Sequence, residues 1–456
     1  MITRIEIDGF KSLRGFAVDL EPLTVFIGPN NAGKSNILEA LALLSRLSSQ
    51  SIDEAFKQGR GRAITQFARS GGEAGRTIRF AVELLLPRRF DQKGAALPNR
   101  CRYELAIERR SRESGSEYLA IQHESLWALD RASDAWIDAH VDMAGYVHHA
   151  TERYCVIEQV GDYEVGRNIT YKYKEHIHAG LAHIPRGYTV LAAVSNRISS
   201  FPAQLHFDAE LLLQRMFRDK PRDIGEMASD TLSEFRLLHL APAALRASSE
   251  RIGVDTLAPD GSNLPTVLAN LPAPLIGEIR ADIVSVVPGI ASFEVVPEGD
   301  ELRIEFILSG GERMPAELTS DGTLRILALL TALRVQPRPS VIGMDELENG
   351  IYPGRLRQLL ELLKETLALA DESDAEANQL PIQLLMTTHS PVMLDAFRSQ
   401  LQSLRFVDLV RRDRQLMTRA RPVHTQAGPD RGHLSVSLRE VDELLQSADS
   451  EMASSV

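Results

Sequence analysis

Apolar and polar residues alternate over residues 2–8 and again over 16–20, the period-two pattern of half-buried strands. The next run, Leu23-Thr24-Val25-Phe26-Ile27, is almost continuously apolar and predicts a strand buried on both faces. The period then lengthens, and apolar residues at 37, 38, 41 and 44 fall on one stripe of a helix. Residues 49–75 are polar and rich in Gly and Arg, which predicts a surface loop holding a short helix. Strand-like runs return at 77–86, 101–109, 118–126 and 154–159, with turn-like segments at 87–98 and 111–116. They predict an antiparallel meander inserted after the first helix.

Between about 165 and 275 the periodicity weakens. Residues 209–217 and 231–240 suggest helices, and Asp260-Gly261-Ser262-Asn263-Leu264 suggests a turn feeding a short helix. No heptad pattern is sustained, so no long coiled-coil arm is expected. Strands are expected again at 293–296 and 302–307, then a helix at 323–333 and an apolar strand at 341–344. Pro353 near a helix start predicts a helix to about 370, followed by an acidic linker at 371–378. A strand at 382–387, a hairpin from 404–410 and 415–420, and a helix at 436–446 complete the pattern.

Chemistry enters where the first buried strand meets the first helix. The junction is Gly28-Pro29-Asn30-Asn31-Ala32-Gly33-Lys34-Ser35, followed by Asn36. Strand, glycine-bounded loop and Lys-Ser at a helix start are what a phosphate loop requires. Backbone N–H groups wrap the phosphates and the helix N-terminus adds positive potential. Lys34 can reach the β and γ phosphates, and the Ser35 hydroxyl can ligate Mg²⁺. A second element is needed to hold the metal and activate water. The run Val341-Ile342-Gly343-Met344 ends abruptly in Asp345-Glu346, as where a buried parallel strand emerges at its C-terminal edge. Asp345 would sit in the magnesium shell, and Glu346 would polarise the attacking water as general base.

Two further segments fit this site. Ser320-Asp321-Gly322 opens the helix at 323–333, so hydroxyl, backbone N–H and helix dipole converge on a second anion position. A Ser-Asp-Gly turn capping a helix is common, but its place shortly before the acidic strand is informative. Two phosphate positions on one chain make sense if two protomers sandwich ATP between loop and opposing helix. His389 follows the 382–387 strand and can hydrogen-bond the γ-phosphate and the attacking water.

The order GPNNAGKS, TSDGT, VIGMDELENGIYP, MTTHSP resembles the ABC-type ATPase heads of the RecF, SMC and OLD families. The opening Gly9-Phe10-Lys11-Ser12 is similar to the start of those heads, and the resemblance covers about 1–90 and 255–410. It implies a head-to-head dimer in which Ser320 and Gly322 of one subunit contact the γ-phosphate held by Lys34 of the other. It also implies that His389 is the switch histidine. Asp321 and Thr323 depart from the common Leu-Ser-Gly-Gly-Gln signature, and a Ser-Asp-Gly form points to the OLD-like and RecF-like branch rather than to transporters. Gln66 is the candidate for the family's metal-directed Q-loop glutamine. OLD-type nucleases carry a Toprim domain with an Asp-x-Asp pair after the head. None follows Ser390, so a stand-alone head is expected.

Composition changes this picture little. A net charge of −11 argues against a generic nucleic-acid coat but leaves local basic patches possible. Two cysteines, Cys101 and Cys155, without metal spacing fit a reducing cytoplasm. No signal peptide and no apolar run of membrane-spanning length is apparent. His140, His148, His149, His176, His178 and His183 lack a repeated ligand spacing and read as solvated or core histidines. Arg411, Arg412, Arg414, Arg419 and Arg421 read as a solvated hairpin face, with a DNA-contact patch as the alternative.

The sequence therefore predicts an α/β, ABC-type P-loop NTPase head with an N-terminal antiparallel β lobe and an α/β insertion. The expected divisions are 1–130 and 255–425 for the two parts of the head, 131–254 for the insertion and 426–456 for a C-terminal helix and tail. The expected activity is Mg²⁺-dependent ATP hydrolysis by a homodimer or higher homo-oligomer. Its energy would control a separate effector, a nuclease or toxin of a bacterial defence module. The alternative is a RecF-like DNA repair clamp.

Overall fold

The computed structural model describes residues 1–70, 72–90, 94–160, 168–173, 176–178, 189, 191–192, 224–367, 380–412, 415–425 and 435–453. The helices expected at 209–217, the linker at 371–378, His183 and Arg414 lie outside these residues. The first strands are β1 (Ile2–Asp8), β2 (Phe16–Asp19), β3 (Leu23–Ile27), β4 (Arg69–Ser70), β5 (Glu73–Ala74), β6 (Thr77–Leu85) and β7 (Arg100–Ser111). Next come β8 (Glu117–Ala128), β9 (Tyr154–Val160), β10 (Asn168–Tyr173), β11 (His176–His178), β12 (Phe235–Leu238), β13 (Ser249–Glu250) and β14 (Ile290–Glu298). The last are β15 (Glu301–Leu308), β16 (Arg313–Pro315), β17 (Val341–Met344), β18 (Gln383–Thr388), β19 (Leu404–Arg412), β20 (Gln415–His424) and β21 (Val436–Ser437).

The continuously apolar strands gather into one sheet in the order β12-β17-β18-β3-β19-β20-β21. From β12 to β19 all neighbours run parallel, and β20 turns back antiparallel as the expected hairpin. The alternating strands form the meander, an eight-stranded sheet ordered β11-β10-β9-β8-β7-β6-β1-β2. This sheet continues across residue 130 through β9, β10 and β11, and β12 joins the head sheet.

Side chains of the parallel strands alternate between two cores. Phe26, Val341, Leu385 and Val407 face one core, shared with the helix Lys34–Leu47 and the antiparallel lobe. Val25, Ile27, Ile342, Met344, Leu384 and Met386 face the other, shared with the helices Ala273–Val286, Asp321–Ala332 and Pro353–Thr366. The phosphate-loop helix and the helix after Ser320 therefore pack on opposite faces of one sheet. A smaller sheet of β13, β15, β14 and β16 completes the second core through Phe293, Ile304 and Phe306.

One segment departs from its expected form. Residues 231–240 do not form a helix throughout, because the helix Ile224–Ser233 ends and β12 begins. Leu232, Phe235 and Leu238 fit a helical stripe locally, but Phe235 to Leu238 pair with Val341 to Met344 at a sheet edge. A non-local ladder has overridden the local period. Among the described residues, no helix is long and apolar enough to cross a membrane.

The strand that leads into the phosphate loop is pinned by an ionic cluster at its start. His140 Nε2 lies 2.8 Å from Glu21 Oε2, its Nδ1 donates to the Trp136 carbonyl at 2.7 Å, and Arg405 Nη2 donates to Glu21 Oε1 at 3.1 Å. Burial opposes the His140 charge, but the bonds to Glu21 and Trp136 outweigh it and raise its pKa above 6.5. Burial likewise opposes the Glu21 charge, and His140 and Arg405 outweigh it, lowering its pKa below 4.5. The histidine contribution is complete below pH 6.5 and is lost as pH rises through its folded pKa. The carboxylate contribution is complete above pH 4.5 and is lost as pH falls through its folded pKa. His140→Gln should therefore cost about 1.5–3 kcal/mol near pH 5.5 and less near pH 9. Denaturant midpoints at the two pH values check this, and equal losses would contradict it.

Candidate functional site

The loop between β3 and the helix Lys34–Leu47 is shaped by glycines that nothing larger could replace. A Cβ on Gly28 would lie 2.0 Å from the Val407 carbonyl oxygen of β19. Gly33, with φ +95°, caps the helix in the left-handed region, and a Cβ there would lie 2.0 Å from Thr418 Oγ1. No side chain caps this helix and no acid occupies its first turn, so its N–H groups and positive dipole end stay available to an anion.

A chain of hydrogen bonds clamps the loop from two distant segments. Asn36 Nδ2 donates to Ser12 Oγ at 2.8 Å, and Thr418 Oγ1 donates to the Ala32 carbonyl at 3.0 Å. Ser12 Oγ and Thr418 Oγ1 are 2.6 Å apart. Since the Thr418 proton goes to Ala32, Ser12 is the donor between the two hydroxyls. The turn after β1 and the hairpin strand β20 thus hold the loop together.

Lys34 folds back over this loop. Its Nζ donates to the Gly28 and Pro29 carbonyls, each at 2.8 Å, and the residue is 6% exposed. Burial lowers its pKa below the usual lysine value, and the negative charges of Glu346, Asp345 and Glu348 act against that shift.

The carboxylates come from the end of β17. Asp345 Oδ1 accepts from Ser35 Oγ at 2.9 Å and also from Thr387 Oγ1. Ser35, Asp345 and Thr387 gather only oxygen atoms, a donor set suited to a hard divalent cation such as Mg²⁺. Glu346 has φ +50°, in the left-handed region, which a non-glycine residue adopts only when its surroundings hold it there. Its N–H donates to Thr387 Oγ1 at 3.0 Å, and its Oε2 accepts from Asn349 Nδ2 at 2.7 Å. His389 Nδ1 lies 3.7 Å from Glu346 Oε1 and 3.6 Å from Glu348 Oε1. Lys34, Ser35, Asp345, Glu346 and His389 are thus brought to one sheet edge.

Ser320 caps the helix Asp321–Ala332, its Oγ accepting from Thr323 N at 3.3 Å. Asp321 pairs with Arg246. A Cβ on Gly322 would lie 2.3 Å from the Gly350 carbonyl oxygen, so the turn presses on the loop that leaves Glu346. Gln66 is 1% exposed, and its Nε2 donates to the Phe56 carbonyl at 2.8 Å. With that nitrogen engaged, only its amide oxygen remains for a metal.

Several site residues escaped sequence reasoning. Thr387, Glu348 and Asn349 stand inside the quoted motifs, where a hydroxyl two residues before His389, a third acid and an amide were available signals. Ser12 stands in the quoted opening Gly9-Phe10-Lys11-Ser12; Arg246 and Thr418 carried no such mark, and the pairing of Ser12 with Thr418 arises only when β20 folds over the loop. Arg419 and Arg421 are held by Asp408 at 2.6 and 3.0 Å, leaving Arg411 and Arg412 as the exposed arginines of the described hairpin. Among the described residues, no group of three or more His, Cys, Asp or Glu is arranged to hold a metal ion.

A family model described as "AAA domain, putative AbiEii toxin, Type IV TA system" matches residues 23–395. Structural maintenance of chromosomes protein 1 of Schizosaccharomyces pombe is 31% identical over 107 residues, 22% of this chain and 9% of that protein. The chain thus spans about a tenth of that relative's length. Similar solved structures include an SmcHead bound to the C-winged helix domain of ScpA, with 13% identity, TM-score 0.46, and coverage of 92% of this chain and 98% of that one. The SMC head domain from Thermotoga maritima has 11% identity, TM-score 0.37, and coverage of 93% and 99%.

The clamp has a measurable consequence. Thr418→Ala removes two hydrogen bonds, each worth about 1 kcal/mol, and should weaken Mg·ATP binding about tenfold. Thr418→Ser should restore it. Calorimetric titration reads both, and wild-type affinity in Thr418→Ala would show that the loop does not need this clamp.

Proposed function

The chain belongs to the AAA domain family described as putative AbiEii toxin, Type IV TA system; on that premise we propose an ABC-type ATPase head of the SMC/RecF-like group, working as an ATP-gated dimer that hydrolyses ATP. The observation that carries this reading is the contact of Ser35 with Asp345, beside Lys34 and Glu346. Ser35 and Asp345 would hold Mg²⁺, with Gln66 as a further candidate ligand. The bound metal would neutralise phosphate charge.

The residues of the chain divide the remaining work. Gly28, Pro29, Asn30, Asn31, Ala32, Gly33 and Asn36 shape the loop whose backbone N–H groups receive the phosphates. Lys34 exchanges the Gly28 and Pro29 carbonyls for phosphate oxygens. Glu346 takes a proton from the attacking water through Oε1 while Asn349 holds Oε2. His389 hydrogen-bonds the γ-phosphate.

The dimer follows from the two faces of the sheet. Lys34 and Ser320 start helices on opposite faces, so the second anion position is better used by a nucleotide on another copy. Ser320 and Gly322 of one subunit would close over the phosphate held by Lys34 of its partner. The toxin–antitoxin description of the family fits a defence role, and a separate effector, a nuclease or toxin, would receive that movement. The DNA-clamp alternative has Arg411 and Arg412 as its contacts and requires DNA-stimulated hydrolysis that falls with salt.

Glu346→Gln should slow hydrolysis by about 10² to 10⁴ at saturating ATP while leaving binding intact. With ATP it should elute as a dimer, and Ser320→Arg added to it should bind ATP yet remain monomeric. Unchanged turnover in Glu346→Gln overturns the base assignment. A monomer with ATP overturns the sandwich.

A further inference from the structure

Glu348 has no part in the scheme above, yet its side chain is only 10% exposed at the centre of the site. Its Oε1 accepts from Thr388 Oγ1 at 2.6 Å and from the His389 backbone N–H at 3.1 Å. Its Oε2 is buried and makes no hydrogen bond. A second orphan belongs to the same site, for His389 Nδ1 is also buried and also makes none. That ring nitrogen is near two carboxylates, 3.6 Å from Glu348 Oε1 and 3.7 Å from Glu346 Oε1, and a small rotation of the Glu348 carboxyl would offer it the unused Oε2. Buried polar groups are rarely left unpaired, and two orphans at one site call for a functional explanation.

The two carboxylates are not equivalent partners. Glu346 is anchored through Oε2 by Asn349 and needs Oε1 free for water. Glu348 is anchored through Oε1 by the His389 segment itself, so it moves with the histidine. A histidine that closed on Glu346 would occupy the base. One that closed on Glu348 would leave the base free.

We propose that Glu348 is a positioning residue for hydrolysis, accepting the Nδ1 proton of His389 and so holding the imidazole off Glu346. A ring anchored through Nδ1 presents Nε2 as its free edge. With Glu348 on Nδ1 and a phosphate oxygen on Nε2, each proton of the imidazolium has an acceptor. Carboxylates orient metal-bound histidines from behind in the same way, where removing one costs about 10- to 100-fold in affinity or activity, and a loss of that order is expected here.

The inference rests on the ATPase reading, and the experiment separates the two. Glu348→Gln keeps an acceptor for Thr388 and the His389 N–H but removes the charge and turns Oε2 into a donor. It should lower kcat about 10- to 100-fold with ATP affinity within about twofold of wild type. Glu348→Asp should recover part of the loss. In a His389→Asn background the same Glu348→Gln change should cost nothing more, because the interaction it removes is already gone. Wild-type kcat in Glu348→Gln, or an undiminished further loss in the His389→Asn background, overturns the proposal. If either result appears while Glu346→Gln is inactive, only the Glu348 assignment falls. If Glu346→Gln is fully active, the hydrolysis scheme falls with it. Should Glu348→Gln not fold, histidine nitrogen spectra of the otherwise unaltered Glu346→Gln chain with ATP decide. A proton on His389 Nδ1 is expected, and an unprotonated Nδ1 overturns the assignment.

Discussion

The hydrogen bond from Ser35 to Asp345 joins residues 310 positions apart, and the site depends on it. It exists because β3, β18 and β17 run parallel and finish at one edge. Met344 pairs with Met386, and Ile27 pairs with Thr388. The residues that follow, Asp345 and Gly28, therefore flank Thr387 and Thr388. Parallel neighbours require long crossovers, so the loop, the acids and the histidine arrive from different parts of the chain and meet only when the sheet closes. The loop, the acids and the histidine are consequences of one register.

That dependence explains what the sequence revealed. Strands buried on both faces read as unbroken apolar runs, so 341–344 and 382–387 were legible, and the polar residues ending each run were legible as chemistry. The loop was legible because Gly28, Gly33, Lys34 and Ser35 must lie close in sequence to surround one anion. Groups that act through a non-local pairing left no such trace. Thr418 reaches Ala32 only through the β19–β20 hairpin, and β12 exists only because β17 offers an edge. Residues 232, 235 and 238 would have suited a helix as well. Glu348 was visible as an acid, but its contact with the segment carrying His389 is a fact of β17 lying beside β18.

The helix opened by Ser320 meets the sheet edge that carries Glu346 through a contact that is unusually close. Gly322 and Gly350 approach so tightly that a single added carbon would overlap a carbonyl, and Gly350 itself sits at φ +76°. Between Gly350 and Glu346 lie only Leu347, Glu348 and Asn349. Asn349 holds the Glu346 carboxylate, and Glu348 holds the segment bearing His389. A force applied to the Ser320–Gly322 turn therefore has a short, close-packed route to both groups. Close-packed interiors transmit such displacements rather than absorbing them. Glu346, held at positive φ by its neighbours, is the residue least able to ignore one. In the proposed dimer, a second copy pressing on that turn would thus act on Glu346 and His389 together, through backbone contact and without touching either side chain.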